Sequence, residues 1–178
     1  LFGRGFSAIF PAQDVTSEYM PTGVDRKLTA VYFQDLWQIN PDISFTTGLR
    51  YDDYSDFGKT LNPRLGLVYR LNKKAYSKLL YGEAYKAPAF SQLFDVTPTS
   101  AITRRRGNNA LQATEINTIE LQLGYEFSDI LHSTLTLFQN DTRNEIFFNS
   151  TPGIEQWQNS GQRKSQGIEF QIRGAYLG

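Results

Sequence analysis

Along this chain apolar and polar residues trade places almost one for one, and they do so in four separate stretches. The clearest sets Ile43, Phe45, Thr47, Leu49 and Tyr51 against Ser44, Thr46, Gly48, Arg50 and Asp52. A side-chain period of two means a strand with one apolar face and one polar face. The pattern predicts about seven strands. They run Leu28 to Ile39, Ile43 to Asp53, Leu61 to Leu71, Ser77 to Ala87, Glu115 to Phe127, Ser133 to Thr142 and Lys164 to Leu177. The stretch before Arg26, with Gly3, Gly5, Pro11, Pro21 and Gly23, reads as irregular.

The polar register carries full charges: Arg50, Arg64, Arg70, Glu120, Glu126, Glu169 and Arg173. A soluble sandwich would alternate too, with its apolar face turned inward. Length separates the two cases. A tilted strand needs roughly 9–11 residues to cross a bilayer, whereas globular strands run to about 5–6. These strands are long enough to span, so the chain reads as all-β, part of a transmembrane antiparallel β-barrel with charge toward a water-filled bore. Lipid then meets Leu61, Leu65, Leu67, Tyr69 and Leu71, with Asn62, Arg64, Gly66 and Arg70 inside. The same division puts Ile119, Leu121, Leu123, Tyr125 and Phe127 outside against Thr118, Glu120, Gln122, Gly124 and Glu126. In the last strand Ile168, Phe170, Ile172 and Tyr176 face out, and Gly167, Glu169, Gln171 and Arg173 face in. Glu83 shares the apolar register of Leu79, Tyr81 and Tyr85, which places it at or above the membrane interface. The first strand, with Asp35 among Val31, Phe33 and Trp37, declares no face.

Connections sort into two sets. Short ones at Asn40-Pro41-Asp42, Asn72 to Tyr76 and Ser128 to His132 alternate with longer ones at Tyr54 to Thr60, Pro88 to Thr114, Arg143 to Arg163 and the leading segment before Arg26. Outer-membrane barrels have short periplasmic turns and longer extracellular loops. Composition adds three points. Aromatics reach 14%, which suits interfacial girdles. Basic and acidic residues balance at 18 each, so no global field draws nucleic acid. With no cysteine, disulfides, thiolate metal sites and cysteine nucleophiles are excluded. No run of apolar residues is long enough for a membrane helix. No signal peptide is visible ahead of Leu1, and the chain reads as a piece of a longer one.

Four segments, in order, resemble the barrel domain of TonB-dependent outer-membrane receptors. Gly48-Leu49-Arg50-Tyr51-Asp52 is followed by Asn62-Pro63-Arg64-Leu65-Gly66. Tyr81-Gly82-Glu83-Ala84-Tyr85-Lys86-Ala87-Pro88-Ala89-Phe90 is similar to the family's Phe-Arg-Ala-Pro segment. Gly107-Asn108-Asn109-Ala110-Leu111, Thr114-Glu115 and Glu120-Leu121 resemble its Gly-Asn-Pro-x-Leu, Glu, Glu-Leu succession. Asn159-Ser160-Gly161 and Ser165-Gln166-Gly167-Ile168-Glu169 resemble its ending. Three positions depart: Lys86 replaces the usual Arg, Asn109 stands where Pro is usual, and Ala113 stands where Pro often precedes Glu.

The resemblance implies a barrel of about 22 strands filled by a plug, in the outer membrane of a Gram-negative bacterium. It implies active uptake of a scarce nutrient, foremost a ferric siderophore, with energy from TonB–ExbB–ExbD acting through the plug. Residues 1–178 are then part of the barrel, 1–27 mainly extracellular loop and 28–178 strands and loops, with no plug in the segment. A passive porin or adhesin barrel and a soluble all-β binding module are the alternatives.

Candidate ligand contacts are Arg104, Arg105 and Arg106, because guanidiniums hydrogen-bond anionic oxygens and stack on rings. The other reading of this run is a solvated loop, or one bound to lipopolysaccharide phosphates. Phe90, Phe94 and Trp157, with Tyr54, Phe57, Phe147 and Phe148, offer either a stacking platform or loop packing. Arg50, Arg64, Arg70, Glu120, Glu169 and Arg173 look into the bore. They would touch the plug or a passing ligand, or pair among neighbouring strands. His132, the one histidine, falls in a short turn facing solvent. Haem receptors of the resembled family carry a histidine between the two central motifs, and none lies between Pro88 and Gly107. No nucleophile motif, metal spacing or phosphate loop is present, so neither catalysis nor a cofactor is expected.

Overall fold

The computed structural model describes residues 8–10, 23–97, 105–151 and 154–175. Its strands are β1 (Ala8–Phe10), β2 (Leu28–Asn40), β3 (Ile43–Tyr54), β4 (Gly58–Arg70), β5 (Ala75–Lys86), β6 (Thr114–Ser128), β7 (Leu131–Thr151) and β8 (Ile154–Gly174). One short helix, α1 (Phe90–Phe94), follows β5. The strands form a single antiparallel sheet in the order β1 to β8, each pairing only with its chain neighbours. The seven predicted strands are all present.

Two connections are corrected. The expected loop from Tyr54 to Thr60 shrinks to residues 55–57, because Gly58 adopts φ 105° and opens β4 at once. The expected loop from Arg143 to Arg163 is mostly strand, with β7 and β8 separated only by residues 152–153. Its alternation was hidden by a bulge: pairing slips between Thr142 and Glu145 and again before Ile146, around Asn144 at φ 54°. A bulge inserts an unpaired residue and flips the face of everything beyond it. Of the three connections after β2 expected to be long, 87–113 alone remains so, and loop-length alternation is a weaker signature than the sequence suggested. Two further elements, β1 and α1, fall where no regular structure was expected.

Register joins the predicted faces into continuous bands. One rung runs Trp37–Phe45–Leu67–Leu79–Leu121–Leu137–Ile168 and the next Ile43–Tyr69–Ser77–Leu123–Leu135–Phe170. Many of these side chains are exposed, Ile168 at 72% and Phe170 at 66%. Each large apolar side chain left in water forgoes about 1.5–3 kcal/mol. No second layer relieves this: the buried apolar residues among those described are Ala30, Pro88, Leu93, Leu111 and Ala113, and only Ala30 lies in a strand. Hydrocarbon must cover the band, which removes the soluble-module alternative. Rings mark its lower rim, with Trp37 stacked on Phe45 at 5.4 Å and Tyr125 edge-on to Phe127 at 4.9 Å.

The structure also gives β2 a face. Val31, Phe33, Asp35 and Trp37 share the outward register with Leu49 and Leu65. Asp35 accepts hydrogen bonds from the Trp37 indole at 2.5 Å and the Leu36 amide at 2.9 Å. Glu83, on the rung of Asn117, Asp141 and Lys164, accepts from the Tyr81 hydroxyl above the band. Tyr176 lies outside the described residues.

The band slopes across the rungs. Its upper edge falls from the Val31–Tyr51–Leu61 rung to the Leu67–Ile168 rung, about 20 Å along the strands. Crossing from β2 or β4 to β8 covers roughly 19–29 Å. The membrane plane is level, so the strands lean by about 35–45°, the value barrel closure requires. Polarised infrared dichroism of the receptor in oriented bilayers should return a mean strand tilt in that range. A value below about 20° would contradict this assignment of faces.

Candidate functional site

The long connection 87–113 carries its own small apolar core of Pro88, Leu93, Leu111 and Ala113. Gly107 lets the chain fold back on α1. Its amide donates to the Asp95 carbonyl at 2.6 Å, and the Asn108 amide donates to the Gln92 carbonyl at 2.8 Å. A methyl group at Gly107 would overlap the Leu93 carbonyl and the Phe94 amide. Asp95 is the polar hub. Its carboxylate accepts from the Thr97 hydroxyl, the Thr97 amide at 2.9 Å and Arg105 Nε at 2.5 Å. Burial pushes this carboxyl up, but the Thr97 and Arg105 hydrogen bonds outweigh it and hold it below the ordinary 3.8.

A depressed carboxylate stabilises the fold above its unfolded value and ceases to do so as pH falls through the folded one. Loop protection in hydrogen exchange should therefore be flat above about pH 4 and decline in more acidic buffer. Asp95→Asn should remove that acid-side decline.

Two asparagines clamp this loop to the β7–β8 hairpin. Asn108 Nδ2 donates to the Trp157 carbonyl at 2.9 Å. Asn159 Nδ2 donates to the carbonyls of Gln112 at 3.0 Å and Asn144 at 2.7 Å, while its Oδ1 accepts from the Gln112 amide at 2.8 Å. The Arg106 amide adds a bond to the Glu155 carbonyl at 3.1 Å. A side-chain amide can satisfy a donor and an acceptor at once, as a backbone clamp requires. These asparagines belong to the Gly107-Asn108-Asn109 and Asn159-Ser160-Gly161 segments, so a structural reason stands behind both motifs.

At the loop's other root, Arg26 lies among three rings: Tyr54 at 5.6 Å, Phe57 at 5.1 Å and Phe90 at 4.7 Å. Its guanidinium donates to Asp56 at 2.7 Å and to the Pro88 carbonyl at 2.8 Å. The predicted residues missed this bracket, because a lone Arg in a Gly- and Pro-containing lead carries no periodic signal.

The structure brings some candidates together and separates others. Phe90 packs near Phe94, with ring centroids 6.3 Å apart. Phe94 and the exposed Arg106 line an open cleft of about 450 Å³ with Val96 and Asn109. Arg105 is committed to Asp95, with 38% of its side chain exposed. Trp157 packs on Phe148 at 5.1 Å and does not line that cleft. Arg104 lies outside the described residues.

Arg50, Arg64, Arg70, Glu120, Glu169 and Arg173 all fall on the face opposite the apolar band. Among the described residues only Arg50 of these six is ion-paired, to the fully buried Asp52 at 2.7 Å. Among the described residues no ion pair joins the other five to a neighbouring strand, and all five lie on the polar face. His132, expected in a turn, is the second residue of β7 on that same face, opposite Glu126 and Arg173.

A lipid-clad wall with a polar inner face and a braced loop at one end defines a segment of an outer-membrane transport barrel. The chain belongs to the family described as TonB dependent receptor-like, beta-barrel, whose model matches residues 2–178. It is 27% identical over 171 residues to the ferric enterobactin receptor of Pseudomonas aeruginosa, covering 80% of this chain and 22% of that protein. It is 31% identical over 123 residues to the vitamin B12 transporter BtuB of Vibrio cholerae, covering 68% of this chain and 18% of that one. The solved siderophore receptor PirA from P. aeruginosa superposes with a TM-score of 0.70 at 30% identity, over 83% of this chain and 28% of that chain. The chain thus spans about a fifth of the length of the curated relatives it matches. These relatives place it in the outer membrane of a Gram-negative bacterium.

Proposed function

We propose that this segment is wall and loop of a receptor that actively imports a ferric siderophore. Residues 28–178 supply strands and loops, 1–27 lead in mainly from the extracellular side, and a plug elsewhere in the parent protein couples to TonB–ExbB–ExbD. The observation that carries the reading is the clamped loop 87–113. It holds a guanidinium, Arg106, and an aromatic ring, Phe94, at one cleft on the long-connection end. A ferric catecholate is anionic and ring-rich, so a cation beside an aromatic side chain suits it. Catalysis has no part in this scheme.

The test is binding and growth rescue by the full-length receptor, with ferric catecholates, ferric hydroxamates and cyanocobalamin compared. Ferric catecholate should bind and restore growth under iron limitation. Arg106→Ala should weaken its binding about ten- to hundredfold, as loss of one charge-assisted hydrogen bond does. Binding of cyanocobalamin alone would overturn the siderophore reading in favour of the second relative's ligand.

A further inference from the structure

The helix α1 has five residues, too few to hold itself in place by its own hydrogen bonds. Its C-terminal side is fixed by the Gly107 and Asn108 amides. Its N-terminal side depends on a residue from ahead of β2. Among the described residues, the hydrogen bond and the cation–ring contact that reach it from outside the connection 87–113 both come from Arg26, to the Pro88 carbonyl and over the Phe90 ring. The Arg26 side chain is 17% exposed and that of its partner Asp56 only 4%. Asp56 accepts from Arg26 through Oδ2, and its buried Oδ1 has no partner among the described residues. One guanidinium therefore supplies the whole counter-charge of a buried carboxylate. Phe90 in turn packs near Phe94, which lines the cleft with Arg106.

We propose that Arg26 is a positioning residue for ligand capture: it sets the lie of α1, and so where Phe94 stands relative to Arg106. The role calls for a guanidinium. Its in-plane donors reach Asp56 and the Pro88 carbonyl while its flat faces stay free for rings. A lysine ammonium cannot serve both purposes from one geometry. Without Arg26 the Asp56 carboxylate is left buried and unpaired, and it must move to reach water. That motion disturbs the turn 55–57 and the Phe57 ring, and α1 then pivots on its Gly107 end. The cleft is assembled for only part of the time, and apparent affinity falls by the competent fraction. Arg26 itself touches no ligand in this scheme. The inference rests on the ferric catecholate reading of the cleft and names what holds that cleft in shape.

The experiment uses the full-length receptor in detergent, with the iron(III) complex of a tris-catechol chelator as the probe. Arg26→Lys and Arg26→Ala should each weaken binding about tenfold, the loss expected when the cleft is formed about a tenth of the time. Millimolar methylguanidinium should recover binding by Arg26→Ala at least about threefold, and methylammonium at the same concentration should not. In a Phe94→Ala background, Arg26→Lys should cost less than about twofold, because the ring it positions is gone. Hydrogen exchange over α1 should rise about five- to hundredfold in Arg26→Ala and fall back with methylguanidinium, while β3 and β4 stay unchanged. Undiminished affinity in both Arg26 variants, or a tenfold cost that persists without Phe94, would overturn the proposal. Exchange that rises equally in β3 and β4 would overturn it too, since Arg26 would then brace the wall and not the loop. If the unaltered receptor fails to bind the catecholate, the ligand reading falls alone. Exchange over α1 then still decides the matter, and unchanged protection in Arg26→Ala refutes the positioning role.

Discussion

Leu121→Arg should cost about 2–4 kcal/mol of folding free energy in a bilayer, while Gln122→Arg, one residue along, should change stability by less than about 0.5 kcal/mol. The two positions share β6 and differ only in face. Leu121 lies on the rung between Leu79 and Leu137, at the depth where hydrocarbon surrounds the wall. A guanidinium there must be desolvated or snorkel away, and the midplane is where that penalty peaks. Gln122 pairs with Lys78 and Thr136 on the polar side, where a charge keeps its hydration. Urea titration of the full-length receptor refolded into phospholipid vesicles, followed by tryptophan fluorescence, reads both values. Equal penalties at the two sites would mean that neither face is lipid.

The second large effect is expected far from lipid. Gly107→Ala should destabilise the loop locally by about 1–3 kcal/mol, the usual cost of an overpacked side chain. The added methyl group meets backbone atoms of Leu93 and Phe94, which cannot rotate away as a side-chain tip could. The hydrogen bonds from the Gly107 amide to the Asp95 carbonyl and from the Asn108 amide to the Gln92 carbonyl should lengthen together, which frees Asp95 from its setting. Hydrogen exchange over 88–97 should then rise about five- to hundredfold, with the barrel strands unchanged. An Asn159→Ala receptor should show the same loosening from the hairpin side, since that side chain makes two of the clamp bonds, both to Gln112. Unchanged exchange in both variants would show that the loop is held by something other than these contacts.

How much of this was legible in the sequence depends on what each element has to bury. β3, β4 and β6 read correctly because lipid on one side and water on the other enforce a period of two without interruption. The upper halves of β7 and β8 stand above the membrane, where nothing enforces it. There Ile146, Phe147 and Phe148 run together, and the bulge at Asn144 shifts phase. Glu83 and Asp35 looked like exceptions for a related reason. The apolar band crosses the rungs at a slant, so its edge reaches a different residue on each strand, and a one-strand reading cannot locate it. Asp35 remains inside the outward band, kept there with the Trp37 indole as its hydrogen-bond donor.

Within the loop, the arginine run was visible as charge, but its division of labour was not. Arg105 is spent on Asp95 and Arg106 is exposed at the cleft. That assignment follows from Gly107 folding the chain back, a contact between residues distant in sequence. The same holds for Arg26, whose three aromatic neighbours come from the end of β3, the turn after it and α1. Motif resemblance marked Asn108 and Asn159 as worth notice; only the fold showed that they grip the two sides of one seam.

The orientation of the wall can be measured directly. Single cysteines at Leu121 and Gln122 of the full-length receptor, each carrying an environment-sensitive fluorophore, can be challenged with brominated lipids and with aqueous iodide. Bromine should quench the label at 121 and iodide the label at 122, in opposite order of strength. Iodide quenching both labels equally, with no effect of brominated lipid on either, would contradict the claim that this sheet divides hydrocarbon from water.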